Sequence, residues 1–269
     1  MKKNLLLGLM LLVATGLSAQ MYVGLGFGYH GAANNEAMGT SSNANGDVSN
    51  VYGTMGNGFL VDLKFGYMFN DYWGFELGIN SLFGAKNLIK EDLQIPTGFT
   101  SYEDKSYAQS NMFRLMPQLV FKTDMGIYSR IGFIVPVGGK TMIYQDVSYT
   151  MKNGTSGTTS VEAESHGSFT FGFTGALGYG FDLNDNMMLF GELQYIGLRI
   201  YGKTRTLTKY EINGKDQLGN MKTIQKETEY VDQVLKNDNT DMDKPFKSLK
   251  GAAPYSSFGL NIGLVYKFN

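Results

Sequence analysis

A two-residue alternation of side chains constrains the fold of this chain more than any other feature. From Phe59 to Phe69 every second residue is apolar and bulky, and the residues between them include Asp62 and Lys64. After a short break the same alternation resumes at Trp73. Because successive side chains of a β-strand point to opposite faces, this pattern predicts two strands joined by a tight turn.

The alternation returns along the whole chain and predicts eight strands. Composition agrees, with 35 Gly, 18 Phe and 17 Tyr but only 5 Pro in 269 residues, since aromatic residues favour strands and proline interrupts their hydrogen bonding. One face of each strand is large and apolar, whereas the other mixes glycine with polar or charged residues. The predicted strands are 21–29, 59–69, 73–79, 113–121, 127–137, 169–183, 189–195 and 258–268.

The lengths of the connections indicate the environment. Short turns at one end of a barrel and long loops at the other are typical of outer-membrane barrels. Lipid offers the backbone no hydrogen bonds, so only a closed sheet satisfies it there. We therefore predict an all-β fold: an eight-stranded antiparallel transmembrane β-barrel with short periplasmic turns and long extracellular loops. The short connections lie at 70–72, 123–126 and 184–186, and the long ones near 31–56, 86–108, 139–167 and 202–254.

The first residues predict export. Lys2 and Lys3 precede an apolar core at 5–13, and a small-residue site ending at Ala19 follows. That core is too short to span a bilayer, so we predict a signal peptide at 1–19 and a barrel domain at 20–269. The mean hydropathy of −0.16 does not oppose a membrane location, because the polar face of a transmembrane strand offsets its apolar face.

Cysteine content and charge argue against other classes of protein. The chain has no cysteine, which excludes a disulfide framework and a lipid-modified N-terminal cysteine. Its formal net charge is −1, so no nucleic-acid partner is expected.

Aromatic residues gather at both ends of the predicted strands. Such amphipathic rings suit the two interfaces of a bilayer. We expect membrane-interface aromatics near the short turns at Phe69, Tyr72, Trp73, Phe121, Phe181, Tyr266 and Phe268, and a second group near the long loops at Tyr29, Phe59, Phe83, Phe113, Phe169 and Phe258.

Charged residues on the small-residue face should point into the lumen. An eight-stranded barrel is narrow enough to be filled by its own side chains, and buried charges persist only when they are paired. One interpretation is a salt-bridged plug, which the balance of signs favours; the other is a narrow gated pore with these charges at its constriction. The predicted lumen charge network is Asp62, Lys64, Glu76, Arg114, Arg130 and Glu192.

The eight-strand layout, the short Asp-containing turns and the aromatic terminal stretch FGLNIGLVYKFN (258–269) resemble the OmpA/OmpX-like small outer-membrane β-barrel family. The resemblance implies surrounding outer-membrane lipids and lipopolysaccharide, insertion by the barrel-assembly machinery, and a structural or surface-interaction role. Small porin-like pores for ions or solutes, and accessory barrels of secretion systems such as the PorT-like barrels, share this layout and remain alternatives. The barrel-assembly signal of the family ends in Phe, whereas here Phe268 is followed by Asn269.

The long connections carry turn signals of their own. Segments 142–150 and 158–164 flank Asn153-Gly154 and predict a hairpin that continues the barrel wall beyond the membrane. Asn213-Gly214 predicts a second turn within 202–254. Loops of such length are usually functional, so we expect them to contact an extracellular partner.

Motifs for other chemistry are weak. Residues 26–31 match GxGxxG but precede a loop rather than the helix that dinucleotide binding needs. Segment 237–243 alternates oxygen ligands like the start of a calcium loop, but it lacks the turn glycine and the distal Glu. His30 and His166 are expected to be surface histidines at loop ends. We therefore expect no enzyme activity, cofactor or metal site.

Overall fold

The computed structural model describes residues 20–33 and 36–268, and the predicted signal peptide lies outside these ranges. No helix in them is long and apolar enough to cross a membrane. A 3₁₀ turn spans Leu218–Asn220 and a short helix, α1, spans Thr223–Lys226. The strands are β1 (Gln20–Ala32), β2 (Glu36–Ser42), β3 (Val48–Gly53), β4 (Gly58–Met68), β5 (Trp73–Gly84), β6 (Asn87–Asp92), β7 (Phe99–Lys122), β8 (Ile127–Met151), β9 (Ser156–Gly167), β10 (Gly172–Asp182), β11 (Met187–Gly197), β12 (Arg199–Ile212), β13 (Lys215–Asp216), β14 (Glu227–Val231), β15 (Phe246–Leu249), β16 (Ala252–Pro254) and β17 (Ser257–Phe268).

Eight of the described strands close into one antiparallel ring. The order around it is β1, β4, β5, β7, β8, β10, β11 and β17, and β17 pairs again with β1. Closure gives each of these strands a hydrogen-bonded neighbour on both sides over most of the apolar belt, which is what a lipid environment requires. The prediction of an all-β, eight-stranded antiparallel barrel is confirmed.

The strand register places the apolar residues of neighbouring strands side by side on the outer surface and the small or polar residues on the inner surface. Leu25 lies opposite Leu63 on one neighbour and Leu264 on the other, so large apolar side chains form a continuous outer belt. Glycines such as Gly24 and Gly26 occupy the alternate, inward positions, where an added Cβ would meet side chains of neighbouring strands. The apolar face is thus outside and the polar face inside.

Two barrel strands are much longer than the sequence alternation indicates. β7 has 24 residues and β8 has 25, whereas the alternation covers 113–121 and 127–137. Their remaining residues pair with each other beyond the barrel, from Phe99 opposite Met151 onward. Polar residues replace the apolar ones there because that part of the sheet lies past the apolar belt.

The long connections are themselves largely sheet. β8 and β9 form the predicted hairpin, with Gly154 at φ +84°, and β9 pairs on with β12. Asn213 and Gly214, at φ 50° and 72°, make the second predicted turn between β12 and β13. Both turns need the left-handed conformation that Asn and Gly tolerate best.

The interior is layered. Most of its charged residues lie in the half nearer the short turns, and a cluster of buried apolar residues lies near the long loops. The apolar cluster contains Met55, Ala108, Met116, Ile134, Ile196, Leu198, Ile200 and Tyr255.

Candidate functional site

The charged side chains inside the ring are the first candidate for a functional site. Their strand positions share the inward face with the glycines, so the barrel alternation itself turns them into the lumen. None is more than 3 % exposed, and they are Asp62, Lys64, Glu76, Arg114, Arg130 and Glu192.

Four of these residues form one cluster across the bore, called here the four-charge cluster: Lys64, Glu76, Arg130 and Glu192. Lys64 Nζ donates to Glu192 Oε1 at 3.1 Å, and Arg130 Nη1 donates to Glu76 Oε1 at 2.5 Å. Arg130 Nη2 also contacts Glu192 Oε2. Two acids and two bases from β4, β5, β8 and β11 therefore neutralise each other.

Neutral residues complete the cluster. Tyr22 Oη donates to Glu76 Oε2 at 2.9 Å, and Tyr128 Oη donates to Glu192 Oε2 at 2.7 Å. Asn261 Nδ2 donates to Glu192 Oε1 at 3.0 Å. Every oxygen of the two carboxylates thus accepts at least one hydrogen bond, which is the condition under which buried charges are stable.

The other two charges form a separate row nearer the long loops. Asp62, Asn80 and Arg114 lie opposite one another on β4, β5 and β7. Arg114 Nε donates to Asn80 Oδ1 at 2.6 Å, and the Asn80 amide donates to Asp62 Oδ1. The acid and the base are therefore linked through the amide rather than in direct contact.

The linking residues were not singled out from the sequence. Tyr22, Asn80, Tyr128 and Asn261 share the inward face with the charges, so the alternation contained the signal that would have found them. What it did not contain is which strands meet across the bore, and that decides which charge pairs with which.

The prediction for His30 is wrong. It is fully buried, because it continues the inward series of Gly24, Gly26 and Gly28 on β1. Its Nε2 donates to Asn261 Oδ1 at 3.2 Å, which leaves Nδ1 to accept from Ser257 Oγ at 3.2 Å. Ser257 is also fully buried, so this serine and histidine have no open face for a substrate.

His166 lies on the exposed part of β9. Its Nε2 is 2.7 Å from Glu164 Oε1, and its Nδ1 is 3.3 Å from the carbonyl oxygen of Gly139. Lys140 Nζ donates to the second Glu164 oxygen at 2.6 Å. These hydrogen bonds hold the pKa of the Glu164 carboxyl below its ordinary value, Lys140 having the larger effect.

The aromatic residues assigned to the membrane interface point outward. Each is at least about one-third exposed and lies in or beside a short turn or at a strand end next to one: Phe69, Tyr72, Trp73, Phe121, Phe181, Tyr266 and Phe268. Tyr72 Oη donates to Asp124 at 3.3 Å, which connects two neighbouring short turns.

The weak motifs serve local structure. The GxGxxG stretch lies within β1. In the calcium-like segment, Asn239 is hydrogen-bonded to the Lys247 backbone and Asp241 to the backbone of Asp243. Within the described ranges no group of three or more His, Asp or Glu side chains converges on a point that could hold a metal ion.

A cavity of about 70 Å³ opens at the short-turn end and stops at the four-charge cluster. Tyr22, Lys64, Glu76 and Arg130 line its inner part, and Lys122 and Lys267 lie at its mouth. It has room for a few water molecules rather than for a solute.

Several solved structures resemble this chain at low sequence identity. Neisserial surface protein A is 13 % identical, with 93 % of this chain and 99 % of that chain covered and a TM-score of 0.34. A major outer membrane protein from Thermus thermophilus is 12 % identical, with 93 % and 100 % covered and a TM-score of 0.37. The attachment invasion locus protein Ail of Yersinia pestis is 10 % identical, with 93 % and 97 % covered and a TM-score of 0.27.

A search of curated proteins found no match. The model of the family described as "Outer membrane protein beta-barrel domain" matches residues 5–225, most of the chain. This match confirms the resemblance seen in the sequence and places the barrel in the outer membrane. The chain belongs to the outer membrane protein beta-barrel domain family.

Proposed function

We propose that this barrel is closed to solutes and serves as a rigid stem that presents an ordered sheet and loops outside the cell. The four-charge cluster carries the proposal, because it joins four strands across the bore and occupies every oxygen of its two carboxylates. An eight-stranded barrel is only wide enough to hold its own side chains. Ions could pass only if the paired acids and bases of the cluster separated, and breaking buried ion pairs is costly.

The interior on either side of the cluster supports the same conclusion. Toward the short turns, a cavity of only about 70 Å³ ends at the cluster. Toward the long loops, the row of Asp62, Asn80 and Arg114 follows, and the apolar cluster fills the bore near the loops with residues such as Ile200 and Tyr255. Successive layers of side chains therefore fill the bore.

The part of the sheet beyond the belt supports the presenting role. A strand crosses the bilayer in about 9–11 residues, but β7 and β8 continue for 24 and 25. At about 3.3 Å per residue each reaches roughly 80 Å along its path. Exposed apolar side chains such as Leu235, Met242 and Leu249 lie on the long loop that these strands support, and they are candidates for contact with a partner surface.

The orientation follows from the two ends. We assign the short turns to the periplasm and the long loops to the exterior, with the outward aromatic residues at the two lipid interfaces and lipopolysaccharide around the upper part of the belt. The barrel-assembly machinery would then insert the chain from the periplasmic side.

Ion conductance tests the closed lumen. The refolded protein is placed in a planar bilayer and compared with Arg114→Ala and Glu192→Ala. We expect no reproducible conductance steps from the wild type and lower stability of both variants. Steps in the wild type whose size changes in these variants would instead establish a pore gated by the inner charges.

Surface labelling tests the orientation. Because the chain has no cysteine, Lys215→Cys in the long loop and Asp185→Cys in a short turn each create a single thiol. In intact cells a membrane-impermeant maleimide should label the Lys215 variant and spare the Asp185 variant until the cells are lysed. The reverse pattern would refute the assignment.

A further inference from the structure

The ring of strands has an interruption on one side, above the apolar belt. β8 pairs with β10 as far as Ile134 and with β9 from Thr141 onward. Between them, residues 135–140 pair with β7 on one side but with no strand on the other. Along this stretch β9 and β10 do not meet beside β8, so the wall is interrupted there.

Local sequence accounts for the interruption. Phe113 lies opposite Gly138 and Arg114 opposite Pro136, so Val137 is an extra residue that bends β8. On the far side, residues 168–171 follow β12 instead of β8. Ser168 N donates to the Tyr201 carbonyl at 2.7 Å, and Thr170 Oγ1 donates to the Arg199 carbonyl at 3.2 Å.

A cavity of about 690 Å³ lies at the interruption, and we call it the side opening. Ligand sites in proteins commonly have volumes of about 300–1,000 Å³. Its wall includes Val137, Gly138, Phe169 and Ile200 together with Lys140 and Lys203. It is therefore both large enough for a small molecule and mixed in polarity.

The outer rim of the side opening suits a hydrocarbon chain. Phe113, opposite Gly138, belongs to the aromatic group near the long loops, so the opening lies at the upper edge of the apolar belt. Phe133 and Phe171 pack edge to face outside it, with ring centroids 6.3 Å apart. Phe169 is 81 % exposed, more than any other large apolar residue in the described ranges.

The inner rim carries positive charge. Lys140 and His166 both contact the single carboxylate of Glu164. Lys203 lines the same cavity, and its ammonium group makes no hydrogen bond or ion pair with any part of the chain that the structure describes. Among the described residues the cavity wall thus holds two lysines and a histidine but no carboxylate, which favours an added anion.

We propose that the side opening binds a single-chain anionic amphiphile, such as a fatty acid or a lysophospholipid. Its acyl chain lies between Val137 and Phe169 toward the lipid, and its anionic group lies toward Lys203. The charged layers below separate this site from the periplasm, so it exchanges ligand with the exterior and the outer leaflet only. Fatty acid and lysophospholipid share this chemistry and differ in source.

Photochemical labelling tests the site. The protein in lipid vesicles is irradiated with a fatty acid that carries a diazirine near the end of its chain, and the labelled peptides are mapped. We expect saturable labelling concentrated on 133–141 and 166–171. Labelling spread evenly over the lipid-facing strands, with no competition by unlabelled fatty acid, would overturn the proposal.

A matched pair of variants blocks the opening or leaves it free. Gly138 lines the side opening, and a Cβ added there meets no atom within 4 Å, so Gly138→Trp should fill the space and lower site labelling about tenfold. Gly191 on β11 is equally unobstructed, and Gly191→Trp should label like the wild type. Equal labelling of the two variants would contradict the site.

The anionic requirement is tested separately. Lys203 is exposed and its ammonium group has no partner among the described residues, so Lys203→Gln should weaken labelling by the acid but not by its methyl ester. An unchanged acid signal would refute recognition of the charge. Competition by lysophosphatidylglycerol as strong as by free fatty acid would identify a membrane lipid as a source, and competition by the acid alone would identify free fatty acid.

Discussion

Arg130 joins both acids of the four-charge cluster. One nitrogen of its guanidinium donates to Glu76 at 2.5 Å and another contacts Glu192. The planar fork of arginine can serve two carboxylates at once, which a lysine ammonium does less well. The pairing inside the barrel therefore depends on this residue more than on its neighbours.

Replacing Arg130 should destabilise the barrel strongly. Arg130→Met leaves Glu76 and Glu192 buried with less compensation, and breaking a buried pair costs about 3–5 kcal/mol. The measurement is the free energy of unfolding by denaturant in lipid vesicles. Arg199→Met is the control, because Arg199 pairs with Glu36 at the exposed surface, and it should unfold like the wild type. Equal stability of the two variants would mean that the cluster does not hold the interior together.

At the scale of the element, the β8–β9 hairpin is fastened at its base by Glu164. This carboxylate accepts from Lys140 of β8 at 2.6 Å and contacts His166 of its own strand at 2.7 Å. His166 in turn reaches the Gly139 carbonyl, next to the side opening. The hairpin base and the rim of the opening are thus one hydrogen-bonded unit.

The hairpin base should loosen in acid. The partners of Glu164 lower its pKa from the ordinary value of 4.5. A depressed pKa in the folded state means that its stabilising contribution is complete above 4.5 and is lost as the pH falls through the lower folded value. Amide hydrogen exchange at 141 and 164–166, corrected for intrinsic rates, should therefore quicken between about pH 6 and about pH 3. In Glu164→Gln the corrected rates should be flat, and the same acid response in that variant would assign the effect to another group.

At the scale of the molecule, closure and the apolar belt act together. β17 pairs with both β1 and β11 and so closes the ring. Its outward apolar side chains also fill the part of the belt between those two strands. Ile262 lies on this strand between Phe258 and Tyr266, opposite Phe27 and Gly191, and is 64 % exposed. In a membrane such a side chain contacts lipid.

A charge at Ile262 tests which surface meets lipid. Ile262→Arg places a cation near the middle of the belt and should lower the free energy of unfolding in vesicles by about 2–4 kcal/mol. Thr208→Arg, an exposed change on β12 beyond the belt, should have little effect. If both variants lost the same stability, the belt would not be the lipid-facing surface.

The sequence by itself determined the eight membrane-spanning parts of the strands, their faces and the location of the barrel. The two-residue alternation of a strand involves only neighbouring residues, so the sequence shows it directly. The contrast between short and long connections predicted which end of the barrel is periplasmic. The same alternation turned the six charges inward. His30 belongs to the same inward series, and its position near the end of β1 does not take it out of the lumen.

Only the tertiary structure decided which residues meet. The pairing of Arg130 with Glu76 and Glu192 depends on which strands face each other across the bore. The link from Asp62 to Arg114 through Asn80 depends on the register of the neighbouring strands β4, β5 and β7. The side opening depends on where β8 changes its partner from β10 to β9. Both are relations between residues far apart in the chain. A local alternation cannot encode them, since it is the same for every register that keeps apolar residues outside.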